Sequence, residues 1–126
     1  MIKGLGTDIA EVSRVNKVYD NTGEAFVDRI LNKIEQQGRP KNPDMLGAFL
    51  AKRFAAKEAA AKALGTGISD GISFLDFTIS HTELGAPILI VSGRAAEIAK
   101  EKGISSWHLS ISDEKHYAMA TVIVEG

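Results

Sequence analysis

Residues 42–66 read NPDMLGAFLAKRFAAKEAAAKALGT, and this stretch decides how the rest of the chain is arranged. Asn42 followed by Pro43 is typical of a helix N-terminus, and Gly65 suits the left-handed position that ends a helix. The stretch therefore predicts one long helix that begins at Pro43 and runs until Gly65. Apolar residues lie almost all round it when successive residues are placed about 100° apart, so we expect the helix to be buried within the protein or an assembly.

From position 53 to its end, this apolar helix is interrupted by four charged residues, namely Arg53, Lys57, Glu58 and Lys62. The helical projection places Glu58 among apolar residues, and a carboxylate removed from water must be protonated or paired with a cation. One interpretation is a structural Glu58–Lys62 pair, with Arg53 and Lys57 snorkelling to solvent. The other is an ion site, in which Glu58 binds a hard divalent cation such as Mg²⁺ and the basic side chains bind the phosphates of a substrate.

Asp8, in the segment GLGTDI at the end of a predicted strand, is the candidate companion for Glu58. Mg²⁺ is bound in proteins by one or two carboxylates together with substrate phosphates, so two acids would suffice. Asp8 followed three residues later by Glu11 also matches the capping box of a helix start. Sequence spacing does not decide between a helix cap and a metal ligand.

The rest of the pattern predicts an α+β fold in one compact unit, because helices and strands occur in mixed order with adjacent strand pairs. The predicted elements are, in chain order, a strand at 2–9, a helix from Val12 to Gly23, a helical stripe at Phe26, Ile30 and Ile34, a turn-rich loop at 38–43, the long helix, strands at 72–80 and 87–92, a helix at 94–102, and strands at 107–111 and 117–124.

Composition excludes several classes of protein. Hydrophobic residues make up 44% of the 126 and charged residues 25%, which is typical of a globular chain and not of a disordered one. The net charge of -1 provides no overall basic field for nucleic acid or an anionic membrane. The absence of cysteine excludes disulfides, thiolate metal sites and cysteine nucleophiles. With no apolar stretch long enough for a signal peptide or a membrane span, we expect a cytoplasmic protein.

Three segments carry a resemblance to a known family: GLGTDIAEVSR (4–14), FLAKRFAAKEAAAKALGTGI (49–68) and HLSISDEKHYAMATVIVE (108–125). In this order they resemble the bacterial holo-acyl-carrier-protein synthases of the 4′-phosphopantetheinyl transferase superfamily, and the resemblance extends over essentially the whole chain. It implies a single transferase domain over residues 1–126, with a mainly antiparallel sheet packed on a long central helix. It also implies transfer of phosphopantetheine from coenzyme A to a serine of apo acyl carrier protein, releasing adenosine 3′,5′-bisphosphate, in fatty acid biosynthesis.

The resemblance implies a role for three of the charged residues, Asp8, Glu58 and Lys62. Asp8 and Glu58 correspond to the family's Mg²⁺ ligands, and Lys62 corresponds to the lysine that contacts the reacting phosphate. Mg²⁺ would hold the pyrophosphate while Lys62 offsets the charge that develops on the transferred group. The acceptor of the serine proton stays open between a metal-associated water and Glu58.

Further positions resemble the family's coenzyme A pocket, namely Phe49, Arg53, Gly65 and His108. For Gly65 the alternative is a simple helix C-cap, because a helix C-terminus repels anions. Asp113 stands where many members of the family have a second histidine.

Arg14, on the first predicted helix, resembles the arginine that binds the acidic recognition helix of the carrier protein; the alternative is an ordinary solvated charge. The family also implies a homotrimer with active sites at subunit boundaries, which would bury the apolar helix.

Two other functions compete with this interpretation. A non-catalytic oligomeric binding module would use the helix charges for structure alone and would not depend on Mg²⁺. A different magnesium enzyme acting on nucleoside phosphates would use the same basic cluster, but the sequence contains neither a G-x-x-x-x-G-K-[ST] loop nor a G-x-G-x-x-G motif.

Overall fold

The computed structural model describes residues 1–126, and its elements occur in the predicted order. They are β1 (Ile2–Glu11), α1 (Val12–Thr22), α2 (Glu24–Ile30), α3 (Lys33–Gln36), α4 (Pro43–Leu64), β2 (Phe77–His81), β3 (Pro87–Val91), α5 (Gly93–Glu101), β4 (Ser106–Asp113) and β5 (Tyr117–Glu125). A 3-10 turn from Phe74 to Asp76 precedes β2.

The strands form two antiparallel sheets. The larger has the order β1-β5-β4, and the smaller is the β2-β3 hairpin. Alternate residues of β5 are fully buried and face α4, namely Ala118, Ala120, Val122 and Val124. The prediction of an α+β fold with a mainly antiparallel sheet packed on a long central helix is confirmed.

Strand β1 lies unusually close to α4. A Cβ atom added to Gly4 would lie 2.1 Å from the carbonyl oxygen of Ala63, and one added to Gly6 would lie 2.0 Å from that of Ala59. Positions two apart on a strand lie on the same face, and so do positions four apart on a helix. Gly4 and Gly6 therefore face Ala63 and Ala59 along one line of contact. The alanine-rich sequence of α4 is therefore explained by backbone contact with β1, which leaves no room for larger side chains.

Both ends of α4 have the predicted caps. The Asn42 side chain accepts a hydrogen bond from the Asp44 amide at 3.0 Å, and Gly65 ends the helix with φ 87°. Lys102 Nζ donates to the Leu64 carbonyl at 2.6 Å. This lysine satisfies one of the carbonyls that a helix C-terminus leaves unpaired.

The predicted elements were wrong in two places. The stripe from Phe26 to Ile34 is divided between two helices, because the Asn32 side chain caps α3 in a capping box with Glu35. The strand predicted at 72–80 begins only at Phe77, because Ser73 starts a 3-10 turn through a second capping box. In both places a side chain that bonds to the backbone outweighs the pattern of apolar residues.

None of the helices combines the length and the apolarity that crossing a bilayer requires.

Gly6→Ala should lower the free energy of unfolding by about 2 kcal/mol or more, because the new methyl group would collide with the backbone of α4. Urea denaturation measures the change. Gly38→Ala is the matched control, since its Cβ would meet nothing closer than Glu35 O at 3.7 Å, and it should change stability by no more than about 0.5 kcal/mol. Equal effects of the two substitutions would contradict the close packing of β1 on α4.

Candidate active site

Asp8 lies on the face of β1 that points towards α4, because it pairs with the buried Ala120 of β5. Its Oδ1 accepts a hydrogen bond from Lys62 Nζ at 3.0 Å, and Lys62 also donates to the Thr7 carbonyl at 2.9 Å. The interpretation of Lys62 as the structural partner of Glu58 is therefore wrong. The lysine turns to the strand because the strand offers it two acceptors.

The other carboxylate oxygen of Asp8, Oδ2, is buried and has no hydrogen-bond partner. Such an atom is costly, because a buried polar group without a partner loses its hydration and receives nothing in return. Asp8 is also not a helix cap: it lies inside β1, and α1 begins after Glu11 without a side-chain cap. The capping alternative for Asp8 is wrong.

Glu58 faces the same space from α4 and makes no ion pair. Partial burial raises its pKa, and the negative charge of Asp8 raises it further, while Lys62 and Arg29 act in the opposite direction. Asp8 contacts Lys62, which lies one helical turn after Glu58 on the same face of α4, so the two carboxylates are near each other. Two acids that are 50 residues apart in the sequence thus lie close together beside one lysine.

The carboxylates of Asp8 and Glu58 suit a cation that also binds a substrate. No group of three or more acidic or histidine side chains is close enough to hold a metal by itself. In proteins Mg²⁺ often binds only one or two carboxylates, while phosphates and water supply its other ligands. Two carboxylates, one of them with a buried oxygen that has no partner, match this requirement. The residues therefore fit Mg²⁺ bound together with a diphosphate.

Arg53 and Lys57 do not snorkel to solvent, so this part of the structural interpretation is wrong as well. Lys57 is completely buried and Arg53 is 9% exposed, and both form ion pairs with Glu35, at 2.5 Å and 2.9 Å respectively. Burial lowers the pKa of Lys57, and the negative charge of Glu35 opposes that change. These two charges of α4 are thus neutralised in part by an acid from α3.

A cleft of about 220 Å³ separates α4 from the β2-β3 hairpin and the end of β4. Two of the predicted coenzyme A residues, Phe49 and Arg53, line it, and the Arg53 guanidinium lies 4.7 Å from the centre of the Phe49 ring. Lys52 and His81 add basic groups, and Asp113 lies among them. Burial lowers the pKa of His81, and the charges of Arg53 and Lys52 lower it further.

This cleft and the acid pair lie on different sides of α4. Arg53 and Phe49 are five and nine residues before Glu58, so they project from the helix about 140° and 180° away from it. His108 is also separated from the acids, because it pairs with Ile123 on the face of the sheet that points away from α4. There it contacts Glu125 at 2.6 Å. A single chain therefore does not bring all the predicted site residues together.

Gly65 acts as the left-handed C-cap of α4. A Cβ at this position would lie 3.1 Å from Lys102 Nζ, so a cation lies next to the turn. Any anion at the turn would meet Lys102 as well as the helix end, which reduces the repulsion expected from the helix dipole. A cofactor contact at Gly65 stays a prediction.

Arg14 is exposed on α1 at the edge of an apolar groove of about 300 Å³. The groove is lined by Ile9, Val18, Phe26 and Phe54, among other residues. A cation beside an apolar groove is the combination that an amphipathic acidic helix would contact. The position of Arg14 is consistent with its predicted role.

Two residues of the site region were missed by the sequence analysis. Glu35 could have been found, since Asn32 followed three residues later by Glu35 is a capping-box pattern that marks a helix start. Nothing in the local pattern indicates that Glu35 is buried against α4. Lys102 had no signal at all, because its contact with Leu64 joins residues 38 apart.

Comparisons with known proteins agree on one family. A model of the 4′-phosphopantetheinyl transferase superfamily matches residues 4–122. The holo-[acyl-carrier-protein] synthase of Vibrio cholerae serotype O1 is 61% identical over 127 aligned residues, which cover 99% of this chain and 98% of that protein.

Solved structures agree with the sequence comparison. The holo-[acyl-carrier-protein] synthase from Neisseria meningitidis aligns with a TM-score of 0.91 at 42% identity and covers 100% of both chains. The Helicobacter pylori synthase, solved in complex with coenzyme A, aligns with a TM-score of 0.83 at 32% identity and covers 96% of this chain and 99% of that one. With a family model over most of its length and relatives this similar from end to end, the chain belongs to the holo-[acyl-carrier-protein] synthases of the 4′-phosphopantetheinyl transferase superfamily.

Proposed function

We propose that this chain catalyses the Mg²⁺-dependent transfer of 4′-phosphopantetheine from coenzyme A to a serine of apo acyl carrier protein. The observation that carries the proposal is the meeting of Asp8 and Glu58 beside Lys62, with Asp8 Oδ2 buried and unpartnered. Two acids and a lysine next to a diphosphate are the groups that phosphoryl transfer needs for charge stabilisation. The names of the relatives, holo-[acyl-carrier-protein] synthases, support the same reaction.

Each charged group has a task in the proposed step. The serine oxygen forms a bond to the β-phosphorus of coenzyme A, the phosphoanhydride bond breaks, and adenosine 3′,5′-bisphosphate leaves. Asp8 and Glu58 would hold Mg²⁺, which when bound supplies positive charge to the pyrophosphate. Lys62, 50% exposed at its side chain, can leave Asp8 to contact the transferred phosphate. The proton released by the serine passes to water or to Glu58.

We propose that the complete site forms between subunits of a homotrimer. One copy would contribute Asp8, Glu58 and Lys62, and a neighbour would contribute the cleft at Phe49 and Arg53. The separation of these groups around α4 supports this division. Two neighbouring copies could bring together the acid pair and the cleft, which lie on different sides of α4 within one chain.

The outer face of the larger sheet supports the same assembly. Apolar residues exposed on it include Leu5 at 60%, Ile9 at 66% and Met119 at 40%. Ile9 pairs with Met119 across β1 and β5, so these two exposed side chains are adjacent. Adjacent exposed apolar residues mark a surface that another protein covers.

The carrier protein would bind at Arg14 and the apolar groove beside it. The groove lies between α1 and Phe54, and Phe54 is one helical turn before Glu58. A carrier helix bound there would hold its serine close to the acid pair. Fatty acid biosynthesis as the setting, and a cytoplasmic location, stay predictions.

Purified protein with coenzyme A, Mg²⁺ and apo acyl carrier protein should add a phosphopantetheinyl group, measured as an increase in the intact mass of the carrier. Glu58→Gln should lower the rate by about 100-fold or more, since even groups that only support a metal ligand contribute 10- to 100-fold. Glu97→Gln, an exposed change on α5, is the control and should keep the rate. No mass increase with the unmodified chain would refute the proposed reaction.

Arg14→Glu should raise the KM for apo acyl carrier protein about tenfold, equivalent to about 1.4 kcal/mol, and leave the KM for coenzyme A unchanged. Steady-state kinetics with each substrate varied in turn measures both constants. Lys100→Glu makes the same charge change at an exposed position of α5 and serves as the control. Equal increases in the two KM values for Arg14→Glu would exclude a docking role.

Light scattering should give a mass three times the 13.5 kDa of the chain. Leu5→Asp should dissociate the assembly, because it introduces a charge into the apolar outer face. Met45→Asp, a change at another exposed apolar side chain in the first turn of α4, should leave the trimer intact. A monomeric mass for the unmodified chain, or a trimer that survives Leu5→Asp, would contradict the proposed assembly.

A further inference from the structure

Glu35 is the most heavily bonded acid in the protein, and the reaction described above does not use it. Its side chain is completely buried. Oε1 accepts from Lys57 Nζ at 2.5 Å and from the Asn32 amide at 3.2 Å. Oε2 accepts from Arg53 Nη1 at 2.9 Å and from the Ile79 amide at 3.2 Å. Every donor it meets is thus part of α4, β2 or its own helix cap.

These bonds join the two walls of the cleft. Arg53 belongs to α4 and Ile79 to β2, and both line the cleft between the helix and the hairpin. Arg53 Nη1 also donates to the Ile79 carbonyl at 2.5 Å, so the amide and the carbonyl of this residue are both taken. A two-stranded hairpin is marginally stable by itself, and here Glu35 and Arg53 occupy part of its free edge.

The same bonds leave part of Arg53 free. Nη1 makes two hydrogen bonds within the protein. Nη2 and Nε donate to no protein group, and both keep some exposure to solvent. The guanidinium lies 4.7 Å from the centre of the Phe49 ring, which restricts its rotation. Since a guanidinium is planar, holding Nη1 on one edge fixes the direction of the remaining donors.

The buried cluster of Glu35, Arg53 and Lys57 has a positive net charge, which attracts anions. One carboxylate is buried with two cations, so Glu35, Arg53 and Lys57 together carry one net positive charge. Lys52 and His81 line the cleft beside them. Buried charge is screened less than exposed charge, so an anion in the cleft would experience this field strongly.

We propose that Glu35 is a positioning residue for coenzyme A, which holds Arg53 and the hairpin so that the free guanidinium edge meets a phosphate group in the cleft. This inference rests on the proposed function, since it takes coenzyme A as the ligand of the cleft. It adds a residue that contacts no substrate and acts through Arg53. Without the carboxylate, Arg53 would keep its charge and lose its fixed direction, and pre-organisation of the binding group would be lost.

The test separates positioning from charge. Glu35→Gln alone leaves two buried cations without an anion, which endangers the fold. The double variant Glu35→Gln/Lys57→Met keeps one net positive charge in the cluster, as in the unmodified protein, and retains Arg53. We expect it to raise the Kd for coenzyme A, measured by calorimetry, and the KM for coenzyme A about tenfold. Its kcat and its KM for the carrier protein should stay within twofold.

A second background shows whether Glu35 acts through Arg53. In the presence of Arg53→Gln, the same pair of substitutions should change the Kd for coenzyme A by less than twofold, because the group that Glu35 positions is absent. A tenfold change in both backgrounds, or no change in either, would overturn the inference. A parallel fall in kcat and rise in both KM values would indicate a purely structural role and also overturn it.

The unmodified protein distinguishes this result from a failure of the proposed function. If it binds no coenzyme A and modifies no carrier protein, the proposed function fails. If it does both and the charge-matched variant binds coenzyme A as tightly, only the role of Glu35 is refuted. Circular dichroism and the thermal midpoint confirm that each variant is folded at the assay temperature.

Discussion

The structure depends on the contact between the backbones of β1 and α4. Gly4 and Gly6 bring the strand against Ala59 and Ala63 at a distance that no side chain on either glycine would permit. This contact places the segment that carries Asp8 beside the part of α4 that carries the other functional charges. The small residues of both segments therefore serve the site as well as the core, because they determine how near two remote carboxylates can come.

The charges of α4 become intelligible once their partners are known. Glu35 pairs with Arg53 and Lys57, and Asp8 pairs with Lys62. Glu58 makes no ion pair, and its pKa is raised by burial and by Asp8. Burial penalises every ion, so a partly buried acid that makes no ion pair is one that a bound ligand would compensate. Geometry thus distinguishes Lys57, whose charge is satisfied by Glu35 inside the protein, from Glu58, which makes no ion pair.

Much of the fold was predictable because it depends on local signals. The bounds of α4 follow from Asn42, Pro43 and Gly65, and the strand pair at the C-terminus follows from alternation of apolar residues. Local signals also misled in places. The stripe at Phe26–Ile34 is interrupted by a capping box, and a helical spacing of four suggested a Glu58–Lys62 pair that the structure replaces with a strand contact. Spacing alone does not show which acceptor a flexible lysine prefers.

The sequence by itself determined the α+β class, the long central helix, the family and the short set of candidate residues at Asp8, Glu58 and Lys62. The class and the helix follow from caps and periodicity, which are local in the chain, and the family and the candidate residues follow from the resemblance of three sequence segments. Only the tertiary structure decided which charges pair, that Glu35 is buried beneath the cleft, and that Phe49 and Arg53 lie across α4 from Glu58. The physical reason is that ion pairing and burial depend on distances between segments that are tens of residues apart, and such distances exist only after the chain has folded.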